Sequence, residues 1–146
     1  MTNFALQGTG VHATVVVAHD TDGCVAVLRA RIPPSDSTHL LLPGGLPKPG
    51  ETAEDCARRE LREGTGVGAG EWRALGSHAI SLGSPARLAL FLAQDLSAGP
   101  YELTPAEEGY TVMWWSLQEA IEAAAEGRLL AGGSLALLLA ERALRR

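Results

Sequence analysis

Two glutamates on a predicted helix, Glu60 and Glu63, are the residues of this chain whose spacing best suits chemistry. Residues three apart lie on neighbouring ridges of one helix face, so both carboxylates can approach the same point. Carboxylate oxygens are the ligands that a hard cation such as Mg²⁺ prefers, and a cation held in this way can also bind phosphate oxygens. The pair therefore predicts a divalent metal site, with magnesium favoured and manganese as the alternative.

A glycine-rich loop comes just before this helix. Glycine lets the backbone approach a ligand closely, so we expect Gly44 and Gly45 to bind substrate. Arg59 stands at helical spacing from Glu63 and can fix its rotamer, and Glu51 can lean back toward Arg59. Composition alone also allows another interpretation, in which these charges form a solvated helix face with ordinary ion pairs.

The elements that position these residues follow from hydrophobic patterning and turn signals. Thr52 and Asp55 form a helix-capping pattern, and an apolar stripe follows at helical spacing, so a helix is predicted over 52–63. Runs of β-branched and apolar residues bounded by turn formers predict strands. The predicted strands are 11–18, 24–28, 40–42, 72–82, 87–96 and 111–115, and the further predicted helices are 117–126 and 134–144.

Two hairpins and one fold class follow from this order of elements. The Asp-Thr-Asp-Gly turn at 20–23 predicts that the first two strands pair, and a turn at 83–85 predicts that strands 72–82 and 87–96 pair. Strands and helices interleave without a regular βαβ rhythm, which predicts an α/β/α sandwich with a mixed β-sheet between helices. We expect a single domain over 1–146, since neither a repeat nor a linker divides the chain.

Composition and charge exclude several classes of function. The chain has 146 residues, of which 46% are hydrophobic, so it can bury a core and is not expected to be disordered. Its net charge of −5 argues against binding to nucleic acid or to an acidic membrane, both of which need basic patches. Cys24 and Cys56 form no CxxC pair, and no signal-like or membrane-spanning stretch is present. These features predict a cytoplasmic protein.

The segment from the glycine loop to the end of the helix resembles the Nudix box, whose pattern is G-x5-E-x7-R-E-U-x-E-E-x-G-U with U aliphatic. All but one of the fixed positions carry the residue type of the pattern: Gly45, Glu51, Arg59, Glu60, Leu61, Glu63, Gly66 and Val67. The departure is Gly64, where the pattern has the second glutamate of a pair. In the family, the acids at the positions of Glu60 and Gly64 commonly chelate one metal ion. This chain would hold the metal through Glu60, Glu63 and the Gly45 carbonyl.

The resemblance implies a Nudix-type fold and a pyrophosphohydrolase mechanism. Magnesium would bridge the diphosphate of a nucleotide, neutralise its charge and lower the pKa of a bound water. A glutamate would accept the proton of that water. This base would come from the box, namely Glu51, Glu60 or Glu63, or from the later loop 104–109, which offers Glu107 and Glu108. A solvated turn is the alternative interpretation of that later pair.

Segments outside the box resemble the ADP-ribose pyrophosphatase branch of the family more loosely. They are 87–96, 115–120 and 133–138, and they favour an ADP-ribose-like substrate. We also expect Arg29 and Arg31, near the end of a strand that leads toward the glycine loop, to contact phosphate. Solvated surface residues are the alternative for these two arginines.

Three functions stay open at this point. The favoured one is cleavage of the diphosphate in a nucleoside diphosphate linked to another group. Removal of modified nucleoside triphosphates would use the same box. A binding module that holds a nucleotide as a regulatory signal is the third, and Gly64 keeps it open. The apolar face of 135–144 suits either the core or a homodimer contact.

Overall fold

Seven strands and three helices make up the part of the chain that the structure, a computed structural model, describes: residues 12–32, 37–99 and 110–145. Their order along the chain alternates without a regular repeat. The elements are β1 (His12–Ala18), β2 (Cys24–Ile32), β3 (Ser37–Leu41), β4 (Gly44–Gly45), α1 (Ala53–Thr65), β5 (Val67–Ala79), β6 (Arg87–Ala98), β7 (Tyr110–Ser116), α2 (Leu117–Ala125) and α3 (Ala131–Leu144).

The strands form two sheets. The first has the order β4-β1-β6-β5 and is mixed, because β1 runs parallel to β6 and antiparallel to β4. The second has the order β3-β2-β7 and is antiparallel. The α/β class with a mixed sheet between helices is therefore confirmed, although the strands are divided between two sheets. The predicted pairing of β5 with β6 is also confirmed.

The predicted hairpin of the first two strands is wrong. β1 and β2 belong to different sheets. Next to the turn between them, His19 and Val25 form an isolated antiparallel bridge. The reason is that β4 and β6 already occupy the two edges of β1. The turn between them forms as predicted, since a carboxylate oxygen of Asp20 accepts the N–H groups of Asp22 and Cys24 at 2.9 and 2.8 Å.

The core lies on both faces of β1 because successive side chains of a strand point to opposite sides. Val15 and Val17 pack in the cluster that includes α2 and α3, whereas Val16 and Ala18 pack in the cluster that includes α1. This places α1 in one layer and the other two helices in the opposite layer. The sandwich expected from the sequence is thus present: among the helices of the described ranges, the box helix packs on one side of β1 and the other two pack on the opposite side.

The last helix closes the core. Ala136, Leu137 and Ala140 are fully buried, whereas Leu138 on the outer side of α3 stays exposed. None of the helices in the described ranges has the length and apolar character that crossing a membrane requires.

Candidate active site

The helix that carries the predicted metal ligands has well-defined ends. The Thr52 hydroxyl accepts the Asp55 N–H at 3.0 Å, and the Asp55 carboxylate accepts the Thr52 N–H at 3.4 Å, so the predicted capping box is present. At the other end Gly66 adopts φ +80°, and its N–H donates to the Arg62 carbonyl at 2.9 Å. The helix predicted over 52–63 is therefore confirmed, and it extends to Thr65.

One face of α1 is buried and the next face carries the charges. Ala57, Leu61 and Gly64 follow each other at helical spacing and are buried against the strands. This orientation leaves the side chains of Glu60 and Glu63 partly exposed, at 16% and 24%, and Glu60 lies against Gly45 of β4. The apolar stripe of the helix thus decides which way its acids point.

The two-residue strand β4 lies very close to α1. A Cβ atom on Gly45 would stand 2.5 Å from Oε2 of Glu60, and one on Gly44 would overlap the backbone carbonyl of Thr14. Only glycine fits at position 44, because any side chain would collide with the backbone of β1, whereas a side chain at position 45 would displace the Glu60 carboxylate. The close approach brings Gly45 and Glu60, two of the predicted metal ligands, next to each other.

Arg59 joins the acids of the box into one network. Its Nε and Nη2 atoms donate to the two carboxylate oxygens of Glu51 at 2.7 and 3.0 Å. Its Nη1 atom donates to Oε2 of Glu60 and to Oε1 of Glu63, both at 3.1 Å. Nη2 also donates to the carbonyl of Leu46 at 3.2 Å. The structure therefore brings together Glu51, Arg59, Glu60 and Glu63, as the sequence predicts.

The network uses only half of the oxygen atoms on the two helix acids. In the described part of the chain, donors reach Oε2 of Glu60 and Oε1 of Glu63, and both donations come from the same guanidinium nitrogen. Oε1 of Glu60 and Oε2 of Glu63 remain open for a cation. Arg59 thus orients the two carboxylates without filling their coordinating positions.

The Gly45 carbonyl is engaged from the side of the core. It accepts the Thr14 hydroxyl at 3.3 Å and the Cys56 thiol at 3.7 Å. Burial raises the pKa of the Cys56 thiol, so this group stays a neutral donor. A carbonyl oxygen has two lone pairs, and these two long contacts hold the orientation of Gly45, so a metal bound to this oxygen would replace one of them.

Charge in the site is negative overall. Hydrogen bonds from Arg59 lower the pKa of Glu51 to about 2, and the Lys48 N–H contributes to the same shift. The hydrogen bonds to Glu51 raise the pKa of Arg59 above its usual value, so the guanidinium stays charged. Burial raises the pKa of Glu60, because partial removal from water disfavours the charged form of the carboxyl group. Both oxygens of Glu51 accept hydrogen bonds from Arg59 or Lys48, so the acids of this cluster that fit a divalent cation are Glu60 and Glu63.

The metal would need ligands beyond the two helix acids. Within residues 12–32, 37–99 and 110–145, no group of three His, Cys, Asp or Glu side chains is arranged to hold an ion by itself. The Gly45 carbonyl, substrate phosphate and water can complete the coordination of Glu60 and Glu63, and magnesium commonly keeps several waters. The residues present therefore fit a cation that is shared between protein and phosphate.

Sequence comparison identifies the family. The NUDIX domain model matches residues 8–135. The chain belongs to the Nudix family. This confirms the resemblance of the glycine loop and helix to the Nudix box, and the network around Arg59 is the box of this Nudix domain. No curated protein matches the chain in sequence.

Solved structures agree with this assignment. The crystal structure of an ADP compounds hydrolase superposes on this Nudix domain with a TM-score of 0.80 and 25% identity, over 94% of this chain and 74% of that chain. A structure of MutT, from work on the psychrophile fish pathogen Aliivibrio salmonicida and the mesophile Vibrio cholerae, gives a TM-score of 0.67 at 17% identity, over 90% and 98% of the two chains. The first confirms the likeness to the ADP-ribose pyrophosphatase branch, and the second shows the fold alone. Together with the family, the first supports a Nudix pyrophosphohydrolase in general.

Gly64, where this Nudix domain departs from the box pattern, lies inside the helix. It is buried, and a Cβ atom there would stand 3.7 Å from Cδ1 of Leu28, an ordinary contact distance. The left-handed conformation at the helix end belongs to Gly66. A side chain at position 64 would therefore meet neither a backbone clash nor a strained φ, and the missing glutamate leaves one potential carboxylate ligand out of the site.

Of the remaining predicted residues, the structure describes the side chain of Arg29. Arg29 lines a separate cavity of about 580 Å³ together with His39 and Arg128, and the contacts that assemble the box acids do not include it. The side chain of Arg31, and Glu107 and Glu108 altogether, lie outside the described residues. Their proposed contacts with phosphate and water stay predictions.

One feature of the site was missed by sequence reasoning: an apolar cavity of about 370 Å³ beside Gly44. Its walls come from distant parts of the chain, including Val15, Leu42, Leu88 and Gly132. Each of these segments looks like ordinary core in the sequence. The Gly132-Gly133 pair at the start of α3 was the available signal, since adjacent glycines at a helix start often mark a close approach.

Proposed function

We propose that the protein is a magnesium-dependent pyrophosphohydrolase that cleaves the diphosphate of a nucleoside diphosphate linked to another group. The observation that carries the proposal is the arrangement around Arg59. One guanidinium orients Glu60 and Glu63 and leaves one oxygen of each carboxylate without a donor from the described part of the chain, and Glu60 lies against Gly45. A cation and a diphosphate can meet there because no side chain of β4 stands between them.

Each residue has a distinct part in this mechanism. Glu60 and Glu63 would hold the cation, and Glu51 keeps Arg59 in place for both of them. The cation supplies charge neutralisation for the diphosphate and a bound water of lowered pKa. A glutamate takes the proton of the attacking water, either an acid of the box or one of the pair Glu107 and Glu108.

The proposed substrate class is ADP-linked compounds, with ADP-ribose favoured. The support is the similarity to a protein named as an ADP compounds hydrolase, which covers nearly the whole of this chain. The ligand would be a small nucleotide, and a cytoplasmic location and a homodimer stay predictions from the sequence.

The test is a product-release assay over a panel of substrates. ADP-ribose, other nucleoside diphosphate sugars and nucleoside triphosphates would be incubated with Mg²⁺, with Mn²⁺ and with a chelator, and the products separated by chromatography. Magnesium-dependent release of nucleoside monophosphate from the diphosphate sugars is expected. Release of pyrophosphate from triphosphates alone would instead support removal of modified nucleotides.

A second candidate function is a nucleotide-binding module with little turnover. Gly64 favours it, because the site lacks one of the carboxylates that the box pattern provides for the metal. In the same assay, saturable binding of nucleotide without product above that of a Glu60→Gln and Glu63→Gln double variant would support the module and contradict the enzyme.

A further inference from the structure

A hydroxyl and a thiol in the core contact the Gly45 carbonyl. Thr14 of β1 is 2% exposed, and Cys56 of α1 is fully buried. Their neighbours on the same elements, such as Val16 and Ala57, are aliphatic and equally buried. A polar group that is removed from water costs free energy unless it finds a hydrogen-bond partner, so the hydroxyl and the thiol must be satisfied by the atoms around them.

Three atoms form a closed triangle of hydrogen-bonding contacts. The Thr14 hydroxyl donates to the Gly45 carbonyl at 3.3 Å, and the Cys56 thiol donates to the same oxygen at 3.7 Å. The hydroxyl oxygen and the sulfur are 3.4 Å apart, and either can donate to the other. The triangle therefore permits two arrangements. Both groups donate to the carbonyl, or the thiol donates to the hydroxyl and only the hydroxyl donates to the carbonyl.

The sulfur also contacts the network that orients the helix acids. Nη2 of Arg59 donates to Sγ of Cys56 at 3.8 Å, while Nη1 of the same guanidinium donates to both acids. The backbone of Gly45 is held as well, since it pairs with Thr14 in the register of β4 on β1. One continuous set of contacts thus runs from Arg59 through Cys56 and Thr14 to the Gly45 carbonyl.

The triangle can give up one of its contacts to a cation. The Gly45 oxygen has two lone pairs, so coordination through one of them leaves the other for a single donor. The thiol is the weaker and more distant donor, at 3.7 Å against 3.3 Å for the hydroxyl, so it is the group that leaves the carbonyl. Its proton can turn to the Thr14 hydroxyl oxygen, so neither buried side chain loses all its partners.

We infer that Thr14 and Cys56 are positioning residues of the metal site. Thr14 keeps the Gly45 carbonyl directed at the cation, and the Cys56 thiol moves its hydrogen bond from that carbonyl to Thr14 when the cation binds. The inference rests on the proposed function, because it needs a cation at the box. Each proton stays on its own oxygen or sulfur, and only the direction of the S–H bond changes. An aliphatic residue at position 14 would leave the carbonyl with the long thiol contact alone.

The S–H stretching band in the infrared spectrum reports the acceptor of the thiol and does not need turnover. The chain has two cysteines, so Cys24→Ser leaves Cys56 as the single thiol. The band would be recorded in this variant during a Mg²⁺ titration, with binding followed by calorimetry. We expect the band to shift in proportion to bound magnesium, and to stay unshifted when Glu60→Gln and Glu63→Gln are added. An unchanged band at magnesium saturation overturns the inference.

The magnesium affinity of two variants at position 14 separates positioning from packing. Thr14→Val keeps the shape and removes the donor, and we expect it to raise the Kd of magnesium by roughly 3- to 10-fold, the effect of one hydrogen bond. Thr14→Ser keeps the hydroxyl and is expected to restore the affinity. Cys24→Ser, beside the turn at Asp20, is the control that should leave the Kd unchanged. Equal Kd values in Thr14→Val and Thr14→Ser, with thermal unfolding showing that both fold, contradict the inference.

The possible outcomes separate this inference from the proposed function. A shifted band and a weakened Thr14→Val, without hydrolysis of any nucleotide, would count against the enzyme and leave the positioning role standing. Hydrolysis together with a band that does not respond to bound magnesium would overturn the positioning role alone. Failure of the wild type to bind either Mg²⁺ or Mn²⁺ would overturn both.

Discussion

Arg59 and Glu51 are joined by two parallel hydrogen bonds, from Nε to Oε2 at 2.7 Å and from Nη2 to Oε1 at 3.0 Å. Such bidentate pairs between a guanidinium and a carboxylate are stronger and more directional than single contacts. Glu51 also accepts the Lys48 N–H at 2.8 Å. The pair therefore fastens the loop after β4 to the middle of α1, and it sets the direction in which Arg59 reaches Glu60 and Glu63.

This pair predicts an acid-sensitive contribution to stability. The folded-state pKa of Glu51 is about 2, against an ordinary value of 4.5, so folding favours the charged carboxylate. The stabilisation is complete above about pH 4.5 and is lost as the pH falls through about 2, below which the group is protonated in both states. Denaturant unfolding of wild type and Glu51→Gln between pH 7 and pH 2.5 should show a smaller loss of stability in the variant. The exposed Glu54, paired with Arg58, gives the control Glu54→Gln. Parallel curves for wild type and Glu51→Gln would contradict the prediction.

Glu60 and Glu63 are predicted to be essential for metal-dependent turnover. Glu60→Gln and Glu63→Gln keep the shape of each side chain and remove the charge that a cation needs. We expect kcat/KM to fall by two decades or more in each, which corresponds to roughly 2.7 kcal/mol of lost transition-state stabilisation. Glu54→Gln on the same helix should retain activity. Near-normal magnesium dependence in both site variants, with thermal stability retained, would place the metal elsewhere.

Glu107 and Glu108 are predicted to include the group that takes the proton of the attacking water or approaches the diphosphate. They form an acidic pair in a segment bounded by Pro105 and Gly109, just before β7. The double variant Glu107→Ala, Glu108→Ala should lower kcat by more than either single variant. Glu71→Ala, an exposed acid on β5, serves as the control. An unchanged kcat in the double variant would show that neither glutamate takes part in catalysis.

Gly64→Glu is predicted to strengthen metal binding and to raise turnover. Position 64 is one helical turn beyond Glu60, so a carboxylate there can share a face with it and add a hard oxygen ligand. A Cβ atom fits there, since its nearest neighbour would be Cδ1 of Leu28 at 3.7 Å, but position 64 is buried, so the carboxylate must turn away from Leu28 to reach the metal. Gly64→Gln is the matched control, because both variants relieve the cost of glycine in a helix and only one adds charge.

The two readouts for Gly64→Glu are magnesium titration and kcat. Higher magnesium affinity and higher kcat than in Gly64→Gln would show that the wild type is an enzyme whose metal site lacks one carboxylate ligand. Higher affinity without turnover would favour the binding module. If Gly64→Glu and Gly64→Gln bind magnesium with equal affinity and are both as stable as wild type, position 64 does not face the metal.

The parts of the site that were predictable from the sequence depend on short-range interactions. The capping box of Thr52 and Asp55, the left-handed Gly66 and the helical period that puts Glu60 beside Glu63 are each encoded within a few residues. For that reason the box helix and its cluster with Arg59 could be predicted from the local sequence. The same holds for the turn at Asp20, whose hydrogen bonds span four residues at most.

Tertiary structure decided the features that depend on contacts between distant segments. β1 is paired on both edges by strands that follow much later, so β2 had to join another sheet, although the turn between them suits a hairpin. The close approach of Gly45 to Glu60, and the apolar cavity next to it, likewise arise only when β4, α1 and α3 pack on one sheet. Local sequence determined which residues could do chemistry and on which helix face they lie. Packing decided what stands beside them, because the strand edges and apolar walls that bring them together belong to segments far apart in the chain.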